Sequence, residues 1–212
     1  MTTQKWGAIA SFILAATFIA APVLNLAGPV EPAMLSYHDL ADFLFGPLWA
    51  ASLIMSVFAL REQVGEHAPR RMTAALLAST LSGVMVVAAA IFRSTNRHYL
   101  GWHPEMGPTL SHTIFVAWIT VVQGLISTGY HFLGWALLLL GSVGWTTRQF
   151  PRLLNVLYLV GGMVALFSYT VPGNLEGNVV LAGLIWSIWQ GISLWRADSR
   201  EPSALVESHQ PA

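Results

Sequence analysis

Apolar residues fall along this chain in long runs separated by short polar stretches. The runs are Gly7–Leu26, Leu40–Leu60, Met72–Phe92, Thr109–Ser127, Tyr130–Trp145, Leu153–Tyr169 and Val179–Trp195. A helix needs about 20 apolar residues to cross a bilayer, and most of these runs approach that length. The pattern predicts an all-α, polytopic membrane helix bundle in one domain, residues 1–197, with a polar tail over 198–212 that is expected to be disordered. The first run is longer than the roughly 7–15 apolar residues of a signal peptide. Pro22 also spoils Ala20-Ala21 as a cleavage site, so this run is expected to stay as a span.

The fourth and fifth runs are separated only by Thr128 and Gly129, and they make either one crossing or two. The basic residues arbitrate, because Lys and Arg concentrate on the cytoplasmic side of a membrane. With six spans and the N-terminus inside, Lys5, Arg61, Arg70, Arg71, Arg148, Arg152, Arg196 and Arg200 are cytoplasmic, and only Arg93 and Arg97 are outside. Seven spans split them more evenly, so the rule favours six. Small or polar residues recur at Thr113, Ala117, Thr120, Gly124, Ser127 and His131, a spacing that traces one helix face. Thr109–Ser127 therefore reads as an amphipathic helix on the outer surface that bends near Gly124 or Gly129 into the fourth span. The alternative is a true span, seven in all, whose small face packs on its neighbours.

Composition narrows the class further. Hydrophobic residues make up 55% and charged residues 9%, against about a quarter charged in soluble domains, and the mean hydropathy is +0.59. The formal net charge is zero, so no bulk electrostatics point to nucleic acid, and the absence of cysteine excludes disulfides, thiolate metal sites and cysteine nucleophiles. Gly183, Ser187 and Gly191 form a ladder of small residues, and Gly161-Gly162 does the same work one span earlier; both fit close helix packing. Gln123, Asn155 and Gln190 are expected to bond across helices.

The block GWALLLLGSVGWTTRQFPRLLNVLYLVGGMVALFS, Gly134–Ser168, is a span, a basic turn and a span with paired glycines. It resembles the late half of the bacterial integral-membrane family known as domain of unknown function 4386. The start, KWGAIASFILAATFI, and the end, GLIWSIWQGISLWR, resemble that family's first and last spans. The resemblance implies a six-span bundle and no activity; with the distribution of basic residues, the chain is expected in a bacterial inner membrane with both termini cytoplasmic.

Chemistry concentrates on one side of this map. The stretch SYHDLADFLFGP opens the second run with His38, Asp39 and Asp42, where ionisable groups are costly. His38, His98, His103, His112 and His131 are placed on the outer side with Glu31, Glu105 and Glu176, leaving only His67 and His209 inside. Three readings follow. Imidazoles and carboxylates can ligate metal or haem; His98, His103 and Glu105 are then metal ligands, His112 and His131 haem ligands, and the chain a redox subunit or metalloenzyme. Alternatively Asp42, with His38 and Glu176, does acid–base chemistry on a lipid or small molecule reaching the site from the bilayer, or serves a small-molecule transporter. The plain reading makes Asp39 and Asp42 the polar collar of a helix start, in an accessory or scaffold subunit bound to an unidentified protein partner. Arg93 and Arg97 are read as ligands of lipid phosphate or partners of Glu105.

Overall fold

The computed structural model describes residues 1–27, 37–103, 105–168 and 175–207, with the backbone alone described at 101, 102, 175–178 and 199–207. These residues form six helices: α1 Thr3–Ala27, α2 Tyr37–Val64, α3 Pro69–Trp102, α4 Pro108–Thr147, α5 Arg152–Phe167 and α6 Leu175–Glu207. Five are long and apolar enough to cross a membrane, and α5 is a shorter apolar sixth of 16 residues. A multi-pass helical membrane bundle is the architecture, as the hydropathy pattern predicts. Each helix packs against the next, and α6 closes back on α1. Helix α6 passes the expected boundary at Asp198 and continues to Glu207. Asp198 itself is buried, bonded to Thr2 and paired with Lys5 at 3.0 Å, which ties the start of α1 to α6.

The fourth and fifth apolar runs are one helix. Helix α4 has 40 residues, about 60 Å at 1.5 Å per residue, and it continues through Gly124 and Gly129 without a break. The expected separate surface helix is instead the first half of α4, which has no buried residue before Val122. Gly129 is there for close approach: a Cβ would lie 2.9 Å from Val86 Cγ2 on α3. The small and polar face follows the spacing as far as Gly124, and Ser127 and His131 beyond it are half-buried. Thr113, Ala117, Thr120 and Gly124 are exposed, whereas Val122, Ile126, Tyr130 and Leu133 pack into the core.

Helix α2 carries a π-helical turn at Leu44–Leu48. Pro47 has no N–H to give to the preceding turn, and the widened turn absorbs the missing bond. Gly46, inside that turn, lies so close to α3 that a Cβ would come within 2.7 Å of Ala90 Cβ. Beyond it, Phe18, Phe45 and Trp49 stack edge to face or tilted, with centroids 5.7–6.3 Å apart. The small ladder of α6 receives rings from α1: Cβ atoms on Gly191 would collide with Phe12 at 2.8 Å, and Gly183 faces Phe18 as closely.

Buried polar groups are met inside the bundle, since hydrocarbon offers no partners. The hydroxyls of Ser11, Ser79 and Ser187 bond back to carbonyls four residues earlier. Gln190 bonds across helices as expected, accepting the Tyr158 hydroxyl at 2.7 Å. Gln123, in contrast, is exposed, and the buried Oδ1 of Asn155 has no partner. Because Gln190 Nε2 is already unpaired, Tyr158→Phe would leave the whole amide without protein partners. The expected cost is about 1–3 kcal/mol in thermal unfolding in detergent, and Tyr158→Phe with Gln190→Leu should recover most of it. An unchanged midpoint in the single variant would show that the pair contributes nothing.

Candidate functional site

The charged residues of the second apolar run meet α3 near its C-terminal end. Asp39 and Asp42 are three apart on α2, and Arg93 and Arg97 are four apart on α3, so each pair presents one helix face. The antiparallel packing of α2 on α3 brings the faces together. Arg97 Nη2 donates to Asp42 Oδ2 at 2.5 Å, and Arg93 Nε lies 3.2 Å from Asp42 Oδ1, at an angle that makes no hydrogen bond. Asp39 stands 3.8 Å from Arg97, accepts from Ser94 Oγ at 2.9 Å and lies 3.4 Å from His98 Nε2. Asp42 is 4% exposed while both arginines keep about 30%. The carboxylate sits behind, and the guanidiniums sit in front of it. Gly46 and the π turn allow the approach of α2 to α3 that this requires.

In front of the arginines lies a cavity of about 550 Å³. One wall is polar: His38, Arg93, Asn96 and Arg97, with Asn25 at the end of α1. His38 Nδ1 is 3.2 Å from Asn25 Oδ1, which joins α1 to α2 at the rim. The other wall is apolar and comes from the amphipathic half of α4: Phe115, Trp118, Ile119 and Val122. Trp118 stacks on Phe92 at 5.4 Å, fixing α4 against α3. Asn96 is 6% exposed, and its Oδ1 has no hydrogen-bond partner. A buried, unpaired amide oxygen beside a cavity costs free energy unless something in the cavity meets it.

The other predicted site residues separate from this cluster. His98 reaches it through Asp39 but does not join His103 and Glu105. Those two bond to each other at 2.8 Å in the exposed turn between α3 and α4, and His103 also stacks on Tyr99. The hydrogen bond from His103 holds the Glu105 carboxyl below its usual range. Glu105 is thus engaged with His103, and the expected pairing of Arg93 and Arg97 with it is replaced by pairing with Asp42 and Asp39. His112 is exposed. His131 accepts from Trp135 Nε1 at 3.2 Å, one turn along the same helix. Both histidines belong to α4, nineteen residues and about 28 Å apart along its axis. Among the described residues no three His, Asp or Glu side chains gather as a metal-binding set. Glu176 lies in the first turn of α6 with its side chain outside the described residues, and Glu31 is outside them altogether.

Asn96, Ser94 and the pairing of the two arginines with Asp39 and Asp42 are not anticipated by the sequence, which marks Arg93 and Arg97 only as ligands of lipid phosphate or partners of Glu105. The signal was present: an i, i+3 carboxylate pair at the N-terminal end of one helix and an i, i+4 arginine pair near the C-terminal end of the next, which antiparallel packing brings to one level. No family model, curated protein or solved structure matches the chain.

Proposed function

We propose that this chain is a six-span membrane protein that binds an amphipathic ligand with an acidic headgroup between α3 and α4. One observation carries the reading: a cavity with two guanidiniums and an unpaired buried amide on one wall and four apolar side chains on the other. Asp42 and Asp39 hold the arginines by one edge. A guanidinium has five N–H donors in a rigid fork, and Asp42 faces Arg93 only at its Nε, so Arg93 can turn its outer nitrogens to a carboxylate or phosphate. His38 at the rim offers a further donor, and the Asn96 amide, whose oxygen and NH2 exchange by a flip, can turn a donor to the headgroup or accept from a hydroxyl on it. The apolar wall takes the tail, which enters sideways from the bilayer. The basic residues support an orientation with this site outward and both termini cytoplasmic, because Lys5, Arg61, Arg70, Arg71, Arg148, Arg152 and Arg196 sit at the opposite helix ends.

The test is binding of a fluorescent long-chain fatty acid to the full chain in uncharged detergent. Trp118→Ala and Asn96→Leu should each weaken it about tenfold, which corresponds to about 1.4 kcal/mol. A fatty amine of the same length should bind far less. Equal affinity for the acid and the amine, or no loss in either variant, would sink the proposal.

A further inference from the structure

At the opposite end of the bundle, α4 and α5 are joined by four residues, Arg148 to Pro151. Arg148 has φ 57° and ψ 20°, a left-handed conformation usually left to glycine. In it the Arg148 amide caps Gly144 O at 3.0 Å, and the chain turns at once into α5. No side chain caps the N-terminus of α5, so its first amides and the positive end of its dipole face the turn.

A cavity of about 420 Å³ opens here, lined by Gly144, Trp145, Arg148, Phe150, Arg152 and Asn155. Asn155 is 3% exposed, and its amide oxygen has no partner. The two ends of an amide exchange by a flip, so this buried side chain can offer the cavity either an acceptor or donors. Arg148 and Arg152 are both exposed, and among the described residues neither is paired with a carboxylate. Arg71 on α3 donates to Thr146, next to Trp145 in sequence, at 3.3 Å. Trp145, 60% exposed beside the cavity, is the kind of side chain that settles at a headgroup layer.

Two unpaired guanidiniums, an uncapped helix N-terminus and a buried amide converge on one hollow. Such donors from several directions suit a tetrahedral oxyanion better than a planar one. We propose that the α4–α5 turn is a second ligand site that holds a phosphate group. The group is carried by a membrane lipid or by a soluble phosphate compound. The proposal is independent of the cavity between α3 and α4, and either can fail without the other.

The experiment follows thermal unfolding of the full chain in uncharged detergent with three additives: phosphatidic acid, diacylglycerol of the same tails, and inorganic phosphate. Phosphatidic acid should raise the midpoint and diacylglycerol should not. A rise with inorganic phosphate as well identifies a soluble source, and a rise with the lipid alone identifies a headgroup. Arg152→Glu should bind phosphatidic acid at least tenfold more weakly by native mass spectrometry. Arg148→Gly should also bind it more weakly, yet it should raise the midpoint without additive, because glycine accepts the left-handed backbone. This second variant keeps the test decisive if the first does not fold. No rise with either phosphatidic acid or inorganic phosphate, an equal rise with diacylglycerol, or unchanged binding in the folded variants would overturn the proposal.

Discussion

Replacing Asp42 with alanine should destabilise the protein by about 3–5 kcal/mol, the range for breaking a buried ion pair by removing one partner. The carboxylate is almost wholly buried and faces two guanidiniums, at 2.5 and 3.2 Å. Its loss leaves two cations against an apolar wall, and the Asp39 carboxylate stands farther off, 3.8 Å from Arg97. A solvated collar residue at a helix start would cost about 1 kcal/mol. The two readings of SYHDLADF are therefore separated by a factor of three or more in free energy, measured as the shift of the unfolding transition in detergent. Asp39→Asn, at a more exposed carboxylate, should cost less. The triple variant Asp42→Leu, Arg93→Leu, Arg97→Leu is the informative control, because replacing a buried ionic cluster with apolar residues is often neutral or stabilising. It should regain much of the lost stability while losing fatty-acid binding, which separates the role of the arginines in the ligand site from their role in the fold. A loss of 1 kcal/mol or less in Asp42→Ala would return the residue to the collar.

The helices were legible because the bilayer imposes a length: six of the seven apolar runs lie within helices, and the run from Leu153 is helical as far as Phe167. What misled was a pair of glycines. Gly124, inside the fourth apolar run, and Gly129, just after it, look alike in sequence and suggest a bend. Only packing distinguishes them: Gly129 presses against α3, and Gly124 faces open space. The site was half legible for a related reason. Asp42 stood out because a carboxylate inside an apolar run is rare. Arg93 and Arg97 follow the end of a run, where arginine is ordinary, and the sequence offers them only lipid phosphate or Glu105 as partners. Their partners lie 55 residues earlier on a neighbouring helix, and a single sequence shows no such contact. The histidines were grouped by side of the membrane, but a shared side is not a shared place. One belongs to the cavity rim, one to the ion cluster, one to an exposed turn, and two to distant levels of α4.

Gly134→Val should be the most damaging single substitution at the α4–α5 crossing. A Cβ on Gly134 would lie 2.8 Å from Gly162 O and 2.8 Å from Leu166 N, and a Cβ on Gly162 would lie 2.9 Å from Gly134 O. These neighbours are backbone atoms of a regular helix, and no rotamer change can move them. The two helices must separate, and α5 has only 16 residues with which to hold the contact. Overpacking of this kind typically costs about 1–3 kcal/mol, and the branched side chain should place Gly134→Val at or above the upper end. The adjacent glycines of α5 give an internal comparison. Gly162→Ala meets the Gly134 carbonyl and should destabilise, whereas Gly161→Ala meets only side-chain carbons at 3.6 Å or more. The second change should be neutral or stabilise by about 0.5–1 kcal/mol through helix propensity, and Gly124→Ala, with nothing within 4 Å, should behave like it. Unfolding midpoints of the four variants in one detergent decide the matter. If Gly161→Ala and Gly162→Ala shift together, the paired glycines act through backbone flexibility, and the close crossing of α4 and α5 does not set their cost.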